Sequence, residues 1–229
     1  WFSGEQVAYL GAANLLGYLL GALAAAPLAE RMGALRVLLI CWIAVALSFA
    51  GCSLPQPMAV FFVWRLISGM AGAVLMVLGP SVAMAAADPS RRSILGPLMF
   101  CGIGVGALLA ATLVPMFART SLSAVWWSLT VLCVMALWTG WCAARQISLH
   151  APVPASPVAS APAPSASLWS AAVVLVFIAY ACDAFGFVPH TVFWADYLAR
   201  ELGLGTTYAS TQWGFFGLGA IVGPVTLGL

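Results

Sequence analysis

The chain contains no lysine. Its basic charge comes from eight arginines, and charged residues of both signs fill only 6% of its 229 positions. A soluble domain carries about 25% charged residues, so the polar surface needed to coat a water-soluble globule is missing. Without lysine there is no Schiff-base anchor for a retinal-type chromophore. A formal net charge of +2, with no basic stripe, excludes nucleic acid as a partner. Only two histidines occur, His150 and His190, and neither sits in a metal-spaced cluster. The six cysteines are scattered without C-x-x-C spacing. No metal, cofactor or disulfide is expected. Catalysis needs a convergent set of His, Asp, Ser or Cys residues, and the sequence offers none, so an enzyme is not expected.

What fills the chain is apolar: 64% of the residues, with a mean hydropathy of +1.07. A helix needs about 20 apolar residues to cross the hydrocarbon core of a bilayer. Seven runs can be marked for this, at 6–29, 35–53, 59–87, 94–118, 124–144, 168–189 and 208–229. None alternates as a strand would, so a porin-like barrel is excluded, and the fold class is an all-α, polytopic helical bundle. Short polar turns separate the runs, making consecutive helices antiparallel neighbours. Arg31, Arg36, Arg91, Arg92 and Arg145 fall on one side, Arg119 and Arg200 on the other. Positive charge marks the cytoplasmic side, so the chain is expected to begin outside, with one helix preceding it. Both ends, Trp1 and the unflanked apolar run to Leu229, are read as cuts in a longer protein. Residues 151–167 contain five prolines and no charge, a composition that favours an extended linker.

Polar groups inside such runs cost several kcal/mol by most scales and are candidates for function. Arg65 lies deep in the third run, and at 100° per residue it shares a stripe with Gly69, Gly72, Met76 and Gly79. The first run carries Asn14, Gly17, Tyr18, Gly21 and Ala25 on one side. Gly17-x-x-x-Gly21 permits close helix approach, while Asn14 and Tyr18 offer hydrogen-bonding groups. In the sixth run Tyr180, Asp183, Phe187 and His190 share a face, and Gly186 and Pro189 are expected to interrupt the helix there. Asp183 is expected to be buried and to act as a proton carrier, with His190 as a second titratable group. Gln212 and Trp213 open the last run, followed by Gly219-x-x-x-Gly223, an echo of the first.

The segment from Pro27 to Arg36 resembles the loop between helices 2 and 3 of the major facilitator superfamily, G-x-L-a-D-R-x-G-R-R. Leu28, Ala29, Arg31 and Gly33 match, and Glu30 replaces the aspartate. Ala26 stands at the leading glycine, and Arg36 comes one place after the paired basic positions. Arg65-x-x-x-Gly69-x-x-Gly72 is similar to the helix 4 motif, whose arginine is associated with proton coupling. The run from Tyr9 to Ala22 looks closest to the YbfB/YjiJ-type group.

The resemblance implies a partial major facilitator fold, covering helices 2 to 8 of two pseudosymmetric six-helix bundles. Residues 1–144 would belong to the N-terminal bundle, 145–167 to the central cytoplasmic loop, and 168–229 to the start of the C-terminal bundle. It implies a secondary active transporter that moves a small organic solute by alternating access, coupled to protons. The protein would be a monomer in a bacterial inner membrane, with the lipid bilayer, substrate and protons as its partners. Glu30, Arg31, Gly33 and Arg36 would form the cytoplasmic gate. Asn14, Tyr18, Arg65, Tyr180, Asp183, His190 and Trp213 would line the substrate and proton pathway. Gly17, Gly21, Gly69, Gly72, Gly219 and Gly223 would pack helices. The alternative is a non-transporting membrane sensor or scaffold on the same fold.

Overall fold

The computed structural model describes residues 2–150 and 170–228. They form seven long helices: α1 (Gly4–Met32), α2 (Ala34–Cys52), α3 (Met58–Ala86), α4 (Arg92–Ala118), α5 (Leu122–His150), α6 (Ala171–Asp196) and α7 (Gly205–Gly228). No strand occurs among the described residues. The proline-rich segment 151–167 lies outside them.

Helix ends follow local chemistry. Ser3 starts α1 with a capping box: its hydroxyl accepts from the Gln6 N–H while its own N–H donates to the Gln6 side chain. Asp88 opens the short 3₁₀ turn Pro89–Arg91 by accepting from the Ser90 N–H. The junction of α1 and α2 is tighter than the polar turn expected there, because a single residue, Gly33, separates the helices. Its φ of 85° is a left-handed value that side-chain-bearing residues rarely adopt. A glycine here lets the chain reverse between two helices with no loop at all.

Pro27, Pro80, Pro97, Pro115 and Pro224 lie inside helices, as membrane helices tolerate. The sixth helix corrects an expectation. It runs unbroken through positions 186 and 189, and the irregular backbone comes later, in the π turn Tyr197–Glu201. A proline removes one N–H from the ladder, and the surrounding helix hydrogen bonds suffice to carry the chain past it.

Five helices, α1 to α5, are long and apolar enough to cross a membrane. The apolar stretch of α6 among the described residues is shorter, Ala171–Phe187, and α7, rich in glycine and threonine, does not reach the same threshold. Large apolar side chains cover the outside: Leu23 and Trp138 are each 71% exposed and Phe185 is 85% exposed. In water that surface would aggregate; against lipid tails it carries no penalty. Helix association must then come from close packing and hydrogen bonds. The core accordingly contains small side chains. Ala25, Val37, Cys41, Val45, Ala71, Val74 and Leu78 interlock α1, α2 and α3, while α5 packs on α2 and α7 on α4.

Candidate functional site

Among the described residues, α1 and α3 approach backbone to backbone. A Cβ added at Gly17 would overlap the Leu66 carbonyl oxygen, one at Gly21 that of Met70, and one at Gly69 that of Asn14. With the backbones in contact, short side chains can bridge them. The Asn14 amide donates to the Arg65 carbonyl at 3.1 Å and to Ser68 Oγ at 3.0 Å, and Ser68 Oγ donates to the same Arg65 carbonyl at 2.9 Å. From the other side of α3, Ser48 of α2 donates to the Trp64 carbonyl at 2.6 Å. The backbone at Trp64 and Arg65 is therefore held by two neighbouring helices.

That clamp fixes where the Arg65 side chain goes. Its guanidinium carbon lies 5.8 Å from the centre of the Trp126 ring on α5, within cation–π range. Trp126 meets Phe61 edge-on at 5.7 Å and Phe49 at 5.8 Å, and Phe2 stands against Phe61 at 5.1 Å. The result is an aromatic wall around one half-buried cation. Among the described residues the sole ion pair joins Arg200 to Asp196, so Arg65 has no carboxylate partner there. The buried indole N–H groups of Trp64 and Trp126 also find no acceptor among the described residues. Buried polar groups are normally satisfied, and two indole N–H groups without an acceptor, beside a guanidinium without a carboxylate, would suit an electron-rich partner.

The sixth and seventh helices carry a second aromatic group. Trp213 stacks on Phe216 at 4.8 Å, and Phe216 lies 6.1 Å from Phe187 of α6. Tyr180 is 74% exposed and Asp183 is exposed as well, which corrects the expected burial of Asp183: α7 meets that face of α6 at Phe187 and leaves Asp183 uncovered. The side chain of His190 lies outside the described ones. Tyr18 sits on the exposed flank of α1, beside the glycine contact but not in it.

Between α4 and α7 lies a cavity of about 440 Å³. Its polar lining comes from Thr112, Arg119, Thr207, Ser210 and Thr211. Thr112 and Thr211 donate their hydroxyl protons to carbonyls of their own helices, leaving oxygen lone pairs free to accept. Beyond the cavity the two helices close onto each other at Gly104 and Gly217. A Cβ on Gly104 would come within 2.5 Å of the Gly217 carbonyl oxygen, and the Cys101 thiol donates to the Ile221 carbonyl at 3.4 Å.

Sequence and structure divide over the glycines. Gly17, Gly21 and Gly69 sit in the α1–α3 contact, whereas a Cβ on Gly72, Gly219 or Gly223 would meet nothing within 4 Å. The pair that joins α4 to α7 is Gly104 with Gly217. Gly104 stands in the run Gly102-x-Gly104-x-Gly106, whose spacing does not by itself mark a helix contact, and Gly217 precedes Gly219 by two residues. Ser68 and Trp126 were missed too. Ser68 is three residues past Arg65, a readable spacing, but nothing in the sequence ties Trp126 to Arg65 across 61 positions.

At the Gly33 end, Glu30, Arg31 and Arg36 are all exposed, and none of them forms an ion pair among the described residues.

The comparisons with known proteins agree with this architecture. The family described as "Uncharacterised MFS-type transporter YbfB" matches residues 1–228. An MFS-type transporter of Macrophomina phaseolina is 33% identical over 91 residues, which is 37% of this chain and 18% of that protein. A protein of Synechocystis named as a glucose transport protein is 30% identical over 96 residues, 42% of this chain and 20% of that protein. The chain thus matches about a fifth of the length of each relative. A bundle of apolar helices with glycine-lined contacts and a family match along nearly its whole length lead to one conclusion: the chain is a multi-pass membrane protein of the YbfB-type family of major facilitator superfamily transporters.

Proposed function

We propose that this chain is part of a secondary active transporter that moves a small neutral organic solute by alternating access, coupled to protons. The observation that carries the reading is Arg65: a residue whose backbone carbonyl accepts from Asn14 and Ser68, and whose cation lies against Trp126 with no carboxylate partner among the described residues. A charge so placed is costly and becomes useful when an anionic group arrives and leaves. Asp183, or a carboxylate beyond the described residues, exchanges the proton, and Arg65 supplies the countercharge. Tyr18, Tyr180, His190 and Trp213 line the rest of the pathway.

On this reading residues 1–144 belong to one bundle and 168–229 to a second, joined by 145–167 on the cytoplasmic side of a bacterial inner membrane, and the protein works as a monomer. Glu30, Arg31 and Arg36 make gate contacts in one conformational state, with Gly33 as the pivot. Hydroxyl lone pairs in the α4–α7 cavity suit a hydroxylated solute, in keeping with the name of the Synechocystis relative.

The test is proton and solute flux in proteoliposomes containing the full-length protein. Arg65→Ala and Asp183→Asn are each expected to lower coupled flux by about tenfold or more, the scale of losing a hydrogen bond to a charged group. Unchanged coupled flux in both variants would remove the assignment. Binding of solute without any flux would favour the sensor instead.

A further inference from the structure

A second recess, of about 170 Å³, lies where α2, α3 and α5 meet. Its side-chain lining is mostly hydrocarbon: Leu35, Leu38, Leu39 and Trp42 from α2, Val82 and Ala83 from α3, Ala143 and Ala144 from α5. Two glycines create the space. A Cβ on Gly79 would meet nothing within 4 Å, and one on Gly140 would meet only the Trp42 ring nitrogen, at 3.9 Å. All three helices are long and apolar enough to cross a membrane, so the recess lies among spans that face hydrocarbon.

The charge at its end is one-sided. Arg36 follows Leu35 of the lining directly, and Arg145 follows Ala144 directly. Both arginines are exposed. Arg145 lies over the ring of Trp141, its guanidinium carbon 5.1 Å from the ring centre, which holds the cation near its own helix with N–H edges free. Arg31, Arg91 and Arg92 come from helix ends on the same side, against only Glu30 and Asp88. A mostly apolar slot, two of whose lining residues are each followed in the chain by an exposed arginine, suits one kind of molecule that a membrane always contains. Guanidinium groups pair with phosphate oxygens through two parallel hydrogen bonds, and basic pockets between membrane helices recognise acidic lipid headgroups.

We infer that the α2–α3–α5 recess is a binding site for an anionic phospholipid, with part of an acyl chain between Gly79 and Gly140 and the phosphate between Arg36 and Arg145. The inference needs the helices to span a bilayer but does not depend on transport. A lipid seated there would brace α5 against α2 on the side where the chain reverses at Gly33.

Native mass spectrometry of the full-length protein, released from detergent containing phosphatidylglycerol or phosphatidylcholine, tests it directly. Phosphatidylglycerol is expected to be retained over phosphatidylcholine by about tenfold or more. Arg36→Gln and Arg145→Gln should each weaken retention about fivefold, the scale of one arginine at an anionic surface. Gly79→Leu puts a branched side chain into the recess from a position where an added Cβ meets nothing within 4 Å, so it should abolish selective retention while both arginines remain. Arg200→Gln, on the opposite side of the membrane, should leave the phosphatidylglycerol preference unchanged. Equal retention of the two lipids by the wild type would overturn the proposal, as would full retention by folded Gly79→Leu protein. Helicity and monodispersity of each variant establish that it is folded.

Discussion

Two helix pairs in this molecule meet backbone to backbone, and they are built differently. Between α1 and α3, three glycines bring carbonyls within overlap range of any added Cβ, and Asn14 and Ser68 lock the contact with hydrogen bonds. Between α4 and α7, Gly104 and Gly217 touch, but among the described residues only the Cys101 thiol at 3.4 Å adds a directional contact across the two helices, and a 440 Å³ cavity lies alongside. Lipid gives no hydrophobic drive for helices to stay together. A contact with polar locks is thus suited to a permanent unit, and a bare glycine contact to surfaces that part and rejoin. On the proposed alternating-access reading, the first contact would lie within a rigid bundle and the second at a seam between bundles.

The sharpest way to break this comparison is to make the same substitution on both sides. Gly69→Ala forces a methyl group into the Asn14 backbone. With no flexible side chain able to yield, it should cost about 1–3 kcal/mol and abolish the Asn14 bridge. Gly104→Ala also meets backbone, but α4 and α7 can move apart, so the unfolding temperature should fall far less while spin labels at Arg119 and Thr207 report a longer distance. Thermal unfolding followed by circular dichroism ranks the two. If Gly104→Ala unfolds the protein as readily as Gly69→Ala, the seam is as rigid as the bundle.

The contrast also marks what the sequence could disclose. Run length and hydropathy locate seven helices because a membrane span has a fixed thickness, and the observed helices extend most runs by a few residues. The wheel placed Gly17, Gly21 and Gly69 on single faces correctly, since helical geometry alone decides that. It could not tell which face meets protein and which meets lipid, because both environments are equally apolar. For that reason the sequence assigns packing to Gly72 and Gly219, which meet no neighbour, and not to Gly104 and Gly217, which do. Breaks in α6 were misread similarly. Gly186 and Pro189 weaken a helix, but neighbouring hydrogen bonds decide whether it stops, and those are not written in the local sequence. The Arg65 site was half legible: a buried arginine announces itself, whereas its aromatic partner on α5 is set only by how the helices pack.

A smaller effect sharpens the same comparison from within the locked pair. Asn14→Ala removes two hydrogen bonds but leaves Ser68 bonded to the Arg65 carbonyl. Hydrogen bonds between membrane helices average about 0.6 kcal/mol and reach about 1.7, so a loss within that range is expected, with Gly17 and Gly21 still in contact. A double-mutant cycle with Ser68→Ala should show coupling, because the two side chains share one acceptor. Strict additivity would mean that the clamp around Arg65 is two unrelated contacts.

The smallest effect lies outside the membrane, at the turn between the locked unit and the helix of the seam. Asp88 accepts from the Ser90 hydroxyl at 2.6 Å and from the Ser90 N–H at 2.9 Å, and these bonds, with Arg92 nearby, hold its carboxyl below the ordinary aspartate range. The folded value being lower than the unfolded one, the ionised form favours the folded turn. That contribution is complete above the ordinary aspartate pKa of about 3.9 and fades as pH falls through the depressed folded value. Hydrogen exchange over residues 88–94, corrected for intrinsic rates, should show protection at pH 6 that declines toward pH 3. In Asp88→Ala the protection should be low at both pH values. A turn that keeps its protection in the variant would mean that α3 and α4 set its shape without the cap, and that the link between the two kinds of helix pair is stiffer than its exposed position suggests.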